Sequence, residues 1–316
     1  MRRPRVVKLG DRSGVVNNLV ASGDVVVWAD PLATTTCVAA SNWEVLWKVP
    51  SNRFAIGGPI GSSFLTVASH NEVGVRATDD GRMLWSTQAL RCKPHELNVE
   101  VVQRAAIQTR AAMTGEVLSD VATEVPFPNA PWDGGSIWVA KQAEQAMGVS
   151  RDGRMLWRGM LGSLTISAGS SGPAAKLFIN AGGKDIIAYS TEQGTELWRM
   201  PIHVSYGWPT VADGRVSILQ GDRFVVLDEH SGAIVVDRRL PELNAASQCR
   251  QPLLVRGRLI FPHESGTLAV IAADTGELLH LYESKTPLWR AVEVDGLVAV
   301  GTATGSLLVF DEMIWG

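Results

Sequence analysis

No stretch of the chain approaches the ~18 consecutive apolar residues of a membrane helix, and neither sign of charge gathers into a long run. Lysine and arginine number 29 against 32 aspartates and glutamates over 316 residues, a formal net charge of −3. That balance gives neither the broad basic footprint of a nucleic-acid binder nor a membrane-spanning segment. Cysteine is scarce. Cys37, Cys92 and Cys249 stand far apart, with no adjacent pair and no C-x-x-C spacing, so no disulfide framework and no metal site are expected, and a reduced, cytoplasmic setting fits. The arginine-bearing start (Arg2, Arg3, Arg5) lacks the apolar core and small-residue cleavage site of a secretory signal; it reads as a solvated segment flanking a strand. A nucleophile elbow, a Gly-rich phosphate loop and an H-E-x-x-H helix are missing too, which removes the most legible classes of enzyme.

What the chain does have is a repeat. Gly-Arg-Met-Leu-Trp occurs at 81–85 and again at 153–157. Aligned on Trp85, the position recurs as Trp47, Trp85, Ser119, Trp157, Trp198, Val236 and His280, at intervals of 38, 34, 38, 41, 38 and 44 residues. Periods near 40 suit both helical repeats and propeller blades. The bursts Val25-Val26-Val27, Ile186-Ile187-Ala188, Val225-Val226-Leu227 and Ala269-Val270-Ile271, interrupted by turn residues, follow a strand rhythm and not a 3.6-residue one. The clearest unit, 251–283, predicts four strands joined at Arg256-Gly257, His263-Glu264-Ser265-Gly266 and Asp274-Thr275-Gly276, where glycine supplies the positive φ of tight hairpins. The recurring tryptophans are expected to pack between neighbouring units, because a large ring at one fixed strand position buries much apolar area.

The expected fold is therefore all-β: an eight-bladed β-propeller of four-stranded antiparallel blades forming one domain over 1–316. Seven blades is the alternative, since 91–134 is degenerate. Residues 288–312 supply only three strands, and 4–9 reads as an orphan fourth strand about one period before Trp47. The two ends are expected to pair and so remove an open edge.

The segments Ala-Ala-Asp-Thr-Gly-Glu-Leu-Leu (272–279), Ala-Tyr-Ser-Thr-Glu-Gln-Gly-Thr-Glu-Leu-Trp (188–198) and Val-Leu-Asp-Glu-His-Ser-Gly-Ala-Ile-Val (226–235) resemble the repeat of the pyrroloquinoline-quinone-like propellers. The resemblance spans almost the whole chain and implies an eight-bladed propeller. It does not imply the quinone: quinoprotein dehydrogenases of that superfamily carry an adjacent-cysteine disulfide and a calcium-binding carboxylate set, and neither is found here. Relatives that help assemble outer-membrane proteins carry a lipidated cysteine after a signal, also not seen. No cofactor is expected.

In a four-stranded blade the hairpin between strands two and three and the link to the next blade emerge at one end. The longest links, 121–134, 200–209 and 240–251, fall there and bring Phe127, Trp132, His203, Tyr206, Trp208 and Arg250. Arg104 on a hairpin and Trp289-Arg290 at a blade entry join the same expected ligand or partner surface. Aromatic and arginine groups converging on one mouth suit a protein or peptide partner, and equally a small anionic or aromatic molecule. For the enzymatic alternative the candidate catalytic residues are His70, His203 and His263, the first and last with a carboxylate nearby in sequence (Glu72, Glu264). The leading expectation is a binding scaffold; an enzyme with a His/Arg-lined funnel comes second, and a quinone-binding protein third.

Overall fold

The computed structural model describes residues 4–8, 18–29, 34–50, 55–60, 63–67, 72–95, 97–129, 131–134, 136–142, 145–160, 165–169, 176–181, 185–202, 209–243 and 252–311. Their strands assemble into eight four-stranded antiparallel sheets. The first contains β2 (Asn18–Ser22), β3 (Val25–Ala29), β4 (Thr34–Ala39) and β5 (Val45–Pro50). The second contains β6 (Ala55–Ile60), β7 (Ser63–Val67), β8 (Glu72–Ala77) and β9 (Met83–Gln88). The third contains β10 (Arg91–Pro94), β11 (Asn98–Val102), β12 (Ala106–Ala111) and β13 (Val117–Ala122). The fourth contains β14 (Trp132–Asp133), β15 (Ile137–Gln142), β16 (Gln145–Ser150) and β17 (Met155–Met160). The fifth contains β18 (Thr165–Gly169), β19 (Lys176–Ala181), β20 (Asp185–Ser190) and β21 (Glu196–Met200). The sixth contains β22 (Thr210–Ala212), β23 (Arg215–Gln220), β24 (Arg223–Asp228) and β25 (Ile234–Arg239). The seventh contains β26 (Leu253–Val255), β27 (Arg258–Pro262), β28 (Thr267–Ala272) and β29 (Leu278–Glu283). The eighth takes β30 (Leu288–Val294), β31 (Leu297–Thr302) and β32 (Ser306–Phe310) from the end of the chain and β1 (Arg5–Lys8) from its start.

The first strands are the inner ones: β2 lies beside β6 and β30, β6 beside β10, β18 beside β22, and β26 beside β30. Fourth strands lie outermost, and their exposure follows. β5 and β25 are largely solvent-facing, whereas β4, β24 and β28 are buried along almost their whole length because a neighbouring sheet covers each face. The apolar cores accordingly sit between sheets. Phe224, Val226, Leu259, Phe261 and Ile271 join the sixth to the seventh, and Ile260, Val270, Val298, Val300 and Phe310 join the seventh to the eighth.

The repeated tryptophans lock consecutive sheets together. Trp47 Nε1 donates to the Thr78 carbonyl at 2.7 Å, Trp85 to Ala112 at 2.7 Å, Trp157 to Thr191 at 2.7 Å and Trp198 to Glu229 at 3.0 Å. Each acceptor lies in the next sheet's last turn, three residues before a glycine of left-handed φ (Gly81, Gly115, Gly194, Gly232). Those glycines lie under the indoles; a Cβ at Gly115 would stand 2.6 Å from the Trp85 ring. The turn glycine therefore serves the junction as well as the hairpin.

At the junction of the eighth and first sheets the arrangement is reversed. The incoming strand β1 carries Val7 where the others carry tryptophan, and the turn carries Trp43, at φ 65°, where the others carry glycine. Trp43 is buried in a cluster with Val7, Leu307 and Val309. The strand itself pairs in full register with β32, from Arg5↔Val309 to Lys8↔Ser306, and Arg5 donates to the Asn42 carbonyl at 3.1 Å.

Seven of the eight sheets share one more feature among the described residues. The fourth strand bulges at the residue just before the docking position, skipping Leu46, Leu84, Leu118, Leu156, Leu197, Val235 and Leu279. The extra residue is pushed outward, which leaves Leu46 50% and Leu118 52% exposed on the rim.

Candidate binding surfaces

Antiparallel order places the hairpins between second and third strands at the same end as the links between sheets. Around the seventh and eighth sheets this end is stitched by backbone hydrogen bonds. Leu288 N–H donates to the His263 carbonyl (3.0 Å), Ser284 to Gly266 (2.8 Å) and Ala303 to Pro287 (3.0 Å). Short-range hydroxyl pairs stiffen it further: Ser265 with Thr267 at 3.0 Å, Ser284 with Thr286 at 3.1 Å, and Thr302 with Thr304 at 3.2 Å.

Inner strand β30 enters here and immediately bulges, so that Leu288 and Ala291 face Thr302 and Val300 with Trp289 and Arg290 between them. Bulges re-aim side chains. Arg290 is half-buried, and burial lowers its pKa with no carboxylate contributing. Among the described residues no acidic side chain pairs with it. A desolvated guanidinium without a counter-charge is costly, and an anion placed against it would offset that cost.

His263 sits just below this surface, 1% exposed, with Nδ1 3.3 Å from Ser265 Oγ. Burial lowers its pKa. A base whose folded pKa lies below its unfolded value has its neutral form favoured by folding. Its contribution to stability is complete above the unfolded value of about 6.5 and is lost as pH falls through the folded one. Urea titrations should therefore give lower stability near pH 5 than near pH 8, and His263→Gln should flatten that difference.

A second polar cluster lies at the opposite end, between the third and fourth sheets, where the repeat has Ser119 in place of tryptophan. Glu100 accepts from both Trp138 Nε1 and Arg151, which also reaches Asp133 Oδ1 at 2.5 Å and lies 4.3 Å over the Trp138 ring. Lys93 joins Asp133 at 2.9 Å. Every charge in the group has an opposite partner. The cluster fastens a junction that lacks a docked indole, and nothing in the sequence flagged it, because its members come from five separate elements, four strands and one turn.

The sequence candidates distribute unevenly. His70, His203, Tyr206, Trp208 and Arg250 lie outside the described residues, and for Trp132 only the backbone, paired with Val139, is described. Arg104 is exposed on the hairpin between β11 and β12. Phe127 is a correction: it belongs to the core and not to the partner surface. It is 1% exposed and packs with Ile107, Trp138 and Val149, because its N–H donates to the Arg104 carbonyl at 2.7 Å and folds the link inward. His263 is likewise buried, and its backbone and ring brace the hairpin. Trp289 and Arg290 are brought together at the entry of β30. The thiols of Cys37 and Cys92 are both pushed up to about 12, chiefly by burial, and are poor nucleophiles. Among the described residues no three His, Cys, Asp or Glu side chains are grouped to hold a metal ion.

No curated protein matches the chain in sequence. Solved structures match its fold at low identity. BamB from Moraxella catarrhalis superposes with a TM-score of 0.66 at 12% identity, over 98% of this chain and 97% of that one. The computationally designed protein Ika8 gives 0.73 at 15%, over 96% and 98%. Sqt1 of Chaetomium thermophilum, solved bound to the N-terminus of the ribosomal protein L10, gives 0.71 at 10%, over 98% and 100%. These likenesses establish an all-β propeller. The PQQ-like repeat family described as outer membrane protein assembly factor BamB matches residues 142–310, just over half of the chain. With that match laid over the docked-tryptophan repeats, the chain belongs to this PQQ-like propeller family.

Proposed function

We propose that the chain is a cytoplasmic propeller scaffold that holds a segment of a partner protein at the end where β30 enters, through an acidic group placed against Arg290. The observation that carries this reading is the half-buried guanidinium on a bulged inner strand, with no acidic partner among the described residues. The rigid, hydrogen-bonded hairpins around it support a preorganised contact, which limits the ordering cost of binding. Sqt1, a structural neighbour, holds the N-terminus of a ribosomal protein. That precedent fits a propeller binding a peptide segment. The site as proposed takes no quinone.

We further infer that the eight sheets are the blades of one closed ring forming a single domain. The pairing of β1 with β32 and the reversed docking of Trp43 favour closure over an open seven-bladed array.

Affinity capture from the native cell tests the functional reading. Arg290→Glu should reduce recovery of the wild-type partner at least ~10-fold, the scale expected when one side of a desolvated charge pair is reversed. Equal recovery by both proteins contradicts it. Capture of a small anion in place of a polypeptide, seen by native mass spectrometry, redirects the site to the enzymatic alternative.

A further inference from the structure

The turns that join third to fourth strands share a pattern from which the third sheet departs. Two residues before the left-handed glycine stand Asp79, Glu192, His230 and Asp274 in the second, fifth, sixth and seventh sheets; the third sheet has Met113. The first residue of each turn also donates its N–H to the hairpin between first and second strands. In the sixth and seventh sheets Glu229 donates to Gly214 and Ala273 to Gly257, both at 2.9 Å. The third sheet makes the same bond from Ala112 to Leu97 at 2.9 Å, so a leucine takes the place of those glycines. Both replacements put aliphatic surface into water: Leu97 is 74% and Met113 51% exposed.

The bond from Ala112 sets Leu97 and Met113 side by side at the end of the sheet. Val117 and Leu118 follow on β13, both exposed, and Leu84 borders the same turn because its neighbour Trp85 docks on the Ala112 carbonyl. Among the described residues no other sheet exposes as many large apolar side chains. Aspartate and glycine close the equivalent turns elsewhere, so these aliphatic groups are surplus to the fold. Apolar side chains gathered in this way mark an interaction surface.

Charge identifies the occupant. In the turns of this end Glu44, Asp79, Glu116, Glu192 and Asp274 are exposed and enter no ion pair among the described residues. The arginines of the same turns are taken: Arg82 by Asp80 at 3.2 Å, Arg154 by Asp152 at 2.9 Å, and Arg151 by Glu100 and Asp133. Beside the patch, Lys93 is held by Asp133 at 2.9 Å and Arg110 by the Gly115 carbonyl at 3.0 Å. Glu116, between Met113 and Val117 in the chain, therefore stands at the aliphatic patch without a counter-charge. A second copy would set like-charged turns against each other, and an anionic lipid surface would be repelled. We propose that the turn end of the third sheet is a docking surface for a cationic, apolar segment of a partner protein, with aliphatic side chains on Leu97, Met113 and Leu118 and a lysine or arginine against Glu116. The surface lies at the end opposite Arg290 and does not rest on the role given to that residue.

The probe is a fluorescein-labelled, end-blocked peptide Lys-Leu-Leu-Lys-Lys-Leu, with two controls in which serine replaces leucine or glutamate replaces lysine. Fluorescence anisotropy in about 150 mM salt should show saturable binding of the first to the full-length protein, and binding at least ~10-fold weaker for each control. The double variant Leu97→Ser, Met113→Ser should weaken binding at least ~10-fold, and so should Glu116→Lys. These positions are exposed, so an unchanged urea midpoint separates lost contact from lost fold. Val235→Ser, on the rim of the sixth sheet, and Arg290→Glu should leave binding unchanged. No saturation up to about 1 mM peptide, equal binding of either control, or equal loss on Val235→Ser overturns the proposal. Self-association of the unmodified protein, or its co-sedimentation with neutral phosphatidylcholine vesicles, that disappears in the double variant assigns the patch to a second copy or to lipid and overturns it as well.

Discussion

Trp157→Ala should lower the unfolding free energy by about 3–5 kcal/mol, the cost of emptying a buried aromatic site that its neighbours cannot fill. Trp157 is 8% exposed, its N–H is satisfied by the Thr191 carbonyl, and its ring lies over Gly194. Truncation removes the contact area and strips a carbonyl of its donor. Gly194→Ala should fall in the same direction by a different route. The glycine has φ 65°, and an added methyl group would run into the indole. The pair acts as one unit, so the double variant should cost less than the sum of the singles, which a double-mutant cycle in urea measures. By contrast, Leu156→Ala, one residue away at an exposed bulge, should change stability by no more than about 0.5 kcal/mol.

Removal of the closing strand is the second large effect. Val7 is buried against Trp43, Leu307 and Val309, and β1 covers the whole edge of β32. Val7→Asp buries a carboxylate among apolar side chains and should cost at least ~3 kcal/mol. Deleting residues 1–8 should do more than destabilise: it uncovers the paired edge of β32, a template for association with other chains. Analytical ultracentrifugation should then show oligomers or aggregates where the intact chain is dispersed. A truncated protein with unchanged sedimentation and an unchanged urea midpoint contradicts closure by the two ends.

Much of this architecture was legible in the residues. Periodic tryptophans imposed inter-sheet packing because only one strand position recurs, and the orphan strand at 4–9 followed from a spacing of one period. The sequence marks the turn glycines as hairpin residues. Their second role, as the floor under an indole, depends on a neighbouring sheet that no local pattern reveals. Trp43 stands at the glycine position of the repeat, four residues before Trp47, and its backwards docking depends in the same way on a neighbouring strand, here β1.

The site was harder to read. Phe127, between Pro126 and Pro128 in a long link, carries every local mark of an exposed loop aromatic. Backbone bonds from the link, Thr123 to Ala105, Glu124 to Gly153 and Phe127 to Arg104, fold it inward and make Phe127 core. Trp289 and Arg290 are marked in the sequence by residue type alone. Arg290 is desolvated at a strand bulge with no acidic partner among the described residues, a property of the assembled sheets. The rim of bulged aliphatics likewise needed the register of each fourth strand.

The measurement that bears most directly on the functional claim is a paired one on Arg290→Met, which keeps the side chain's bulk and removes its charge. If the guanidinium is held for an incoming acidic group, the variant should be as stable as the parent or more so, because an uncompensated buried charge has been removed. Its capture of the partner should nevertheless fall at least ~10-fold. If instead the variant loses stability and retains full capture, Arg290 is a structural residue, and the binding surface lies elsewhere on the propeller.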